Sequence, residues 1–167
     1  MNYYGKYRGV VVDNQDPEGL GRIQARVPDI HGTSGQSPWC LPCVPVAGIK
    51  MGIFVLPPKG ANVWIEYEGG DLDYPIWTGG YWANSSMMPR GADSAGLLDT
   101  MVVSTTLGST LTLSDQPGPA GGIKMTTRGG AKIEINDLGI TIDNGQGASI
   151  TLRGATVSIN KAALTVT

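Results

Sequence analysis

Residues 123–167 read IKMTTRGGAKIEINDLGITIDNGQGASITLRGATVSINKAALTVT, and the apolar residues come in pairs two apart. The pairs are Ile133 with Ile135, Ile140 with Ile142, Ile150 with Leu152, Val157 with Ile159 and Leu164 with Val166. Between their members stand Glu134, Thr141, Thr151, Ser158 and Thr165. A period of two belongs to a β-strand with one face buried. Breaks at Asp137-Leu138, at residues 144–147 (NGQG) and at Gly154-Ala155 end each short run. The pairs recur seven residues apart except across the NGQG break. The stretch is therefore a quasi-repeat of very short strands and tight turns.

Such a ribbon offers twelve inward aliphatic side chains, Ile123 and Met125 included. A single layer has nothing to cover them. Copies of the ribbon are the natural cover, because a repeated unit with one apolar face closes into a prism around a shared axis. The side chains expected on that axis are Ile133, Ile135, Ile140, Ile142, Ile150, Leu152, Val157, Ile159, Leu164 and Val166. Lys132, Glu134, Asn136, Asp143 and Arg153 would coat the outside. The alternative is a solenoid or sandwich closed within one chain, but strands this short and few fit a sandwich poorly.

The 167 residues suffice for one ordinary domain plus an appendage. Glycine is abundant, at 25 residues, mostly where turns are expected, and there is one Phe. A formal net charge of −2 argues against a general nucleic-acid binder, which wants a basic face. No apolar run approaches the roughly 18 residues that would span a bilayer. The opening MNYYGKYRGVVVDN lacks the apolar core of a signal peptide, so synthesis in the cytoplasm is expected. Two cysteines are too few for a disulfide framework.

Before the ribbon, residues 4–13 (YGKYRGVVVD) read as a strand and residues 14–21 (NQDPEGLG) as a turn. Residues 22–28 (RIQARVP) predict a second strand with Ile23, Ala25 and Val27 on one face. Residues 29–37 read as a polar loop, and residues 39–46 as a third strand at an edge or on a bulged course, given Pro38, Pro42 and Pro45. Residues 47–52 read as a loop with a short helical turn. Residues 60–68 (GANVWIEYE) alternate cleanly at Val63, Ile65 and Tyr67; residues 69–74 (GGDLDY) make a tight turn before a last strand at 75–81 (PIWTGGY). Five short antiparallel strands without a strong helix suit a small closed barrel. Residues 84–99 (NSSMMPRGADSAGLLD) have no period and read as a linker. Two further alternating runs follow, at Val103 and at Leu111 with Leu113, and residues 116–122 (QPGPAGG) form a wide turn.

The run PPKGANVWIEYEGGDLDYPIWTGG at 57–80 resembles the OB-fold domain of contractile-tail spike proteins. These are the phage central spike and baseplate assembly protein V, the valine-glycine-repeat spikes of type VI secretion, and the spikes of extracellular contractile injection systems. The resemblance is carried by Pro58 and Gly60, by Val63, Ile65 and Tyr67, by Gly70-Asp71, and by Pro75, Ile76, Trp77 and Gly79. Upstream, Gly21-Arg22-Ile23 with Arg26-Val27, Pro38-Trp39, and Ala47-Gly48 followed by Gly52 match as well. It spans residues 4–82 and implies an all-β chain: a five-stranded OB-fold barrel at 1–83, a linker at 84–99, and a trimeric needle at 100–167. The needle would be an intertwined, triple-stranded β-helix or β-prism.

Motifs that could carry chemistry read better as structure. Cys40-Leu-Pro-Cys43 has redox or half-zinc spacing. It lies in a proline-rich strand rather than at a helix start, so structural thiols are expected. His31 is the only histidine, and the histidine tip metal of some spikes does not carry over. Asp71 and Asp73 read as turn formers rather than an acid/base or calcium pair. No phosphate-cradling glycine loop occurs, and Gly91-Ala-Asp-Ser94-Ala-Gly96 is one residue too long for a nucleophile elbow. The fused lysozyme domain of some phage spikes would need over a hundred further residues. No catalytic residue, cofactor or metal is expected.

The resemblance implies a homotrimeric spike that plugs the tube of a phage tail or extracellular injection particle and helps puncture the target envelope, in transient contact with the target membrane. The alternative is an OB-fold binding module, for a glycan or a single strand, with a trimerising β tail. Single-strand binding wants basic residues interleaved with exposed aromatics, whereas Trp64, Trp77 and Trp82 lie in strands with few Lys or Arg. Because the OB strands begin almost at residue 1, a separate hub protein is expected above them. A tip protein with proline-alanine-alanine-arginine repeats is expected at the other end, against Leu164, Val166 and Thr167.

Overall fold

The computed structural model describes residues 2–89, 99–161 and 163–166. Most of the expected linker, residues 90–98, and the expected tip residue Thr167 lie outside them. The chain forms two compact units, residues 1–83 and 84–167.

In the first unit the strands are β1 (Tyr7–Asp13), β2 (Gln24–Arg26), β3 (Leu41–Pro42), β4 (Ala47–Gly48), β5 (Met51–Gly52), β6 (Asn62–Tyr67) and β7 (Pro75–Gly80). Five of them form a sheet in the order β2-β1-β6-β7-β3. Ile23 and Cys40, flanking β2 and β3, exchange both backbone hydrogen bonds, at 3.2 and 2.7 Å, and so join the two ends of the sheet into a barrel. A closed sheet has no edge left to pair with another chain there. Along β6 the buried positions are Val63, Ile65 and Tyr67, the period-two set of the sequence. They meet Val11, Ile23, Ala25, Val27, Cys40 and Trp77 in one core. Each aliphatic side chain fully buried there contributes about 1.5–3 kcal/mol.

Three segments differ from the sequence expectation. The third strand is not continuous over 39–46: it is the Cys40 bridge and two-residue β3, which runs parallel to β7. Prolines 38, 42 and 45 bring no N–H, so the ladder is reduced to what Cys40 and Cys43 donate, Cys43 N–H to the Trp77 carbonyl at 2.9 Å. Residues 47–52 form a β-hairpin, β4 with β5, instead of a helical turn. Lys50 at its tip has φ 58°, a left-handed backbone that a tight hairpin demands. Residues 29–37 open with a single helical turn, α1 (Pro28–His31), which starts on a proline with φ already preset and stops at Gly32, φ 68°.

The β1–β2 connection is held by one carboxylate. Asp16 accepts the backbone N–H of Glu18 and Leu20 and the Arg22 side chain, whose Nη2 stands 2.6 Å away. Only 3% of the Asp16 side chain is exposed. The Arg22 guanidinium, and then the backbone donors, hold its carboxyl well below the usual carboxylate range, against the opposing effect of desolvation.

The second unit is one antiparallel meander: β8 (Thr100–Ser104), β9 (Thr110–Ser114), β10 (Gly122–Thr126), β11 (Lys132–Asn136), β12 (Gly139–Asp143), β13 (Ser149–Arg153), β14 (Thr156–Ile159) and β15 (Leu164–Val166). Each strand pairs with its neighbour in sequence. The ladder is thus complete within one chain, and copies can meet through sheet faces rather than by exchanging strands. One side of the meander repeats a turn: Thr105, Thr127 and Asn144 each donate their N–H to the carbonyl four residues on, at 2.8–3.0 Å. Gly139, φ 135°, starts β12 where an added Cβ would run into the Leu152 carbonyl oxygen of the next strand. Only glycine lets these two strands approach that closely.

The depressed Asp16 pKa has a direct consequence. The folded state holds the carboxylate below its ordinary value of 3.8, so the clamp stabilises fully above that pH and is lost progressively as pH falls from there through the lowered folded value. Chemical denaturation followed by the fluorescence of the four tryptophans, all in the first unit, should show stability beginning to fall below about pH 4. In Asp16→Asn that acid limb should flatten while stability at neutral pH drops.

Candidate functional site

The register of the meander aligns the paired aliphatics across all eight strands. One row runs Met101, Leu113, Ile123, Ile135, Ile140, Leu152, Val157, Val166. The other runs Val103, Leu111, Met125, Ile133, Ile142, Ile150, Ile159, Leu164. Side chains two apart on a strand share a face, so both rows lie on the same side of the sheet. The ten residues expected on a shared axis all belong to these rows. Ile123, Met125, Leu111, Leu113, Val103 and Met101 complete them; Met101 is followed by Val102, whose apolar side chain breaks the alternation that would have paired Met101 with Val103 in the sequence.

Among the described residues of the unit, none covers this face. Ten of the sixteen side chains are between 40 and 58% exposed, and no residue of the second unit is among the buried core of the described residues. A contiguous aliphatic strip of this size far exceeds the patches that monomers leave in water.

The opposite face is polar and internally paired. Lys124, Glu134, Thr141, Thr151 and Ser158 follow one another across the strands. Lys132 Nζ lies 2.7 Å from the Glu134 carboxylate and Lys124 Nζ 4.0 Å from it. The Lys132 contact holds the Glu134 carboxyl below its ordinary range. Lys132, Glu134, Asn136, Asp143 and Arg153 all project to this side, opposite the aliphatic rows.

The chemistry-bearing motifs take structural places. Cys40 and Cys43 are free thiols, one buried and one exposed. Burial pushes the Cys40 thiol up to about 11, so it packs as a small apolar group beside Ser37 Oγ, 3.2 Å away. The Asp71 carboxylate accepts the backbone N–H of Asp73 at 3.1 Å, an Asx turn. His31 ends α1. No metal-binding cluster of His, Cys, Asp and Glu forms among the described residues. Ser94 of the glycine-flanked run lies outside the described residues. Arg8 stacks over Trp64 and Tyr81, 5.8 and 5.6 Å from the ring centroids.

One unit is a closed five-stranded barrel and the other an eight-stranded sheet with one uncovered aliphatic face, the make-up of a structural, self-associating protein. Residues 7–82 match the type VI secretion system/phage-baseplate injector OB domain, and residues 100–165 match the phage baseplate V C-terminal trimerisation domain. The chain belongs to the phage baseplate V family, whose members are structural components of phage and tail-like particles. A search of curated proteins returned no match. No helix among the described residues is long and apolar enough to cross a membrane.

The two faces of β12 should respond oppositely to charge. Ile142→Asp places a carboxylate among the aliphatic rows and should cost several kcal/mol, enough to abolish assembly. Thr141→Asp on the polar face should stay within about 0.5–1 kcal/mol. Native mass measurement and thermal melting of both variants test this face assignment.

Proposed function

We propose that the chain is the central spike of a contractile injection machine, and that three copies close their aliphatic faces into a triangular β-prism. The observation that carries this is the pair of unbroken eight-residue aliphatic rows. Each strand supplies two inward side chains, so three copies stack six per layer. Eight strands at about 4.8 Å spacing give a needle roughly 34 Å long. In that arrangement the strands lie across the axis and the backbone hydrogen bonds run along it. Axial load then falls on a continuous ladder around a dry, close-packed core, which suits a part that plugs the tube and is driven into the target envelope when the sheath contracts. The match to a trimerisation domain supports the copy number.

Two partners follow. β15 has a neighbour on one side only, and Leu164 and Val166 on it are more than half exposed. Three such strands would present a small triangular apolar surface with unpaired backbone, one that a capping tip protein would pair with. The OB barrel, which completes its own core, is the unit that would seat on a hub protein in the baseplate. Synthesis in the cytoplasm and assembly there into the particle accord with this reading.

A sheet with no core of its own should fold only as it associates. Native mass measurement should give three times 17.5 kDa, with no folded monomer on dilution. A stable folded monomer overturns the proposal. A tip protein encoded nearby should co-purify with the intact chain and be lost when residues 160–167 are removed; retention after truncation refutes the cap.

A further inference from the structure

The first unit carries an apolar surface that its own core does not use. Residues 40–58 read CLPCVPVAGIKMGIFVLPP, with Lys50 the only charged side chain in nineteen residues. The β4–β5 hairpin lifts this run off the barrel, and Ile49 at its tip is 95% exposed. Behind the tip, Phe54 is 72% exposed. Its ring lies so close to Gly21 that an added Cβ there would sit 2.9 Å from it. Between the hairpin and the barrel opens an apolar cavity of about 390 Å³, walled by Leu20, Pro42, Val46, Phe54 and Trp77 among others. Its far wall is fixed: Asp16 and Arg22 pin the loop holding Leu20 and Gly21, and Trp77 Nε1 donates to the Gly21 carbonyl at 3.2 Å. One unit therefore presents both an apolar knob and an apolar groove.

Resting on the trimeric reading above, we propose that the hairpin tip of one copy enters the groove of the next, so that three OB barrels close into a ring by this contact. The hairpin is itself one wall of the groove, through Ala47, Lys50, Met51 and Gly52, so knob and groove stand side by side. One copy's knob in the next copy's groove is still a head-to-tail contact, and three copies close it around a three-fold axis beside the hairpins. Eight exposed apolar side chains, Leu20, Leu41, Val46, Ile49, Met51, Ile53, Phe54 and Val55, surround the two features. At roughly 100 Å² each they offer about 800 Å², divided between the contact made by the knob and the one made by the groove, so each contact is about half a standard stable interface. A trimerisation domain in the same chain holds the three barrels at millimolar-range effective concentration, so the contact needs little affinity of its own. Lys50, at the tip and on the groove wall, is the one charge at the contact, and its long flexible stem lets the ammonium turn to solvent.

The test uses the full chain. Ile49→Cys in a Cys43→Ser background is labelled with benzophenone maleimide, and trimers are assembled from a mixture of normal and nitrogen-15 chains. Illumination should join the position-49 peptide to peptides holding Leu20, Phe54 or Trp77 of a differently labelled chain. Links confined to one chain, no links, or links only to a hub protein in assembled particles overturn the contact. In parallel, Ile49→Asp should leave the native mass trimeric but speed amide exchange at residues 20–21 and 42–56 about tenfold. Unchanged exchange overturns it too. A wild-type chain that runs as a monomer would instead defeat the trimeric reading on which this rests, so the two failures are distinct.

Discussion

The second unit depends on one constraint: an antiparallel meander whose register keeps two aliphatic side chains per strand on the same face. With turns of mostly two to five residues, each strand can pair only with its sequence neighbours, which yields a complete backbone ladder and no second layer. The hydrogen-bonding requirement of the chain is met locally, while the hydrophobic requirement is not. The ladder sets where every aliphatic group stands, and the exposed rows set what must happen next. A one-residue slip in any strand would send its pair to the polar face, so register and assembly stand or fall together.

The first unit solves the same problem differently. Its five-stranded sheet curls until Ile23 and Cys40 meet, burying nine side chains inside one chain. Proline placement leaves β3 only two residues long, yet the barrel closes because Cys40 and Cys43 supply the N–H groups the prolines lack. Closure frees the connections to do other things. The loop pinned by Asp16 and the β4–β5 hairpin are not needed for the core, and they are where apolar surface accumulates.

The contrast shows where the polar motifs of the first unit are used. Cys40 is spent on packing, Asp71 on a turn, Asp16 on a clamp, and each has its partners within a few residues or across one strand pair. Among the described residues, much of the uncovered surface is aliphatic. A family of structural spike components is what such a surface budget describes.

Much was legible in the sequence because strand periodicity is a local property. The pairs from Ile133 to Val166, the inward set Val63, Ile65 and Tyr67, and the turn glycines could be read from residue order alone, and so could the need of the ribbon for a cover. Tertiary structure decided what depends on distance along the chain. The two aliphatic rows exist only once register aligns eight strands, and that brought in Met101, whose alternation with Val103 is masked by Val102. The barrel closes through a bridge between residues 23 and 40, and residues 47–52 turn back as a hairpin because β5 can pair with β4 across a left-handed Lys50. The Asp16–Arg22 clamp lay within seven residues, yet no periodic signal marks it. A carboxylate in a loop looks the same in sequence whether it faces water or gathers an arginine and a ring of N–H donors, because that difference is made by burial, which only the folded chain creates.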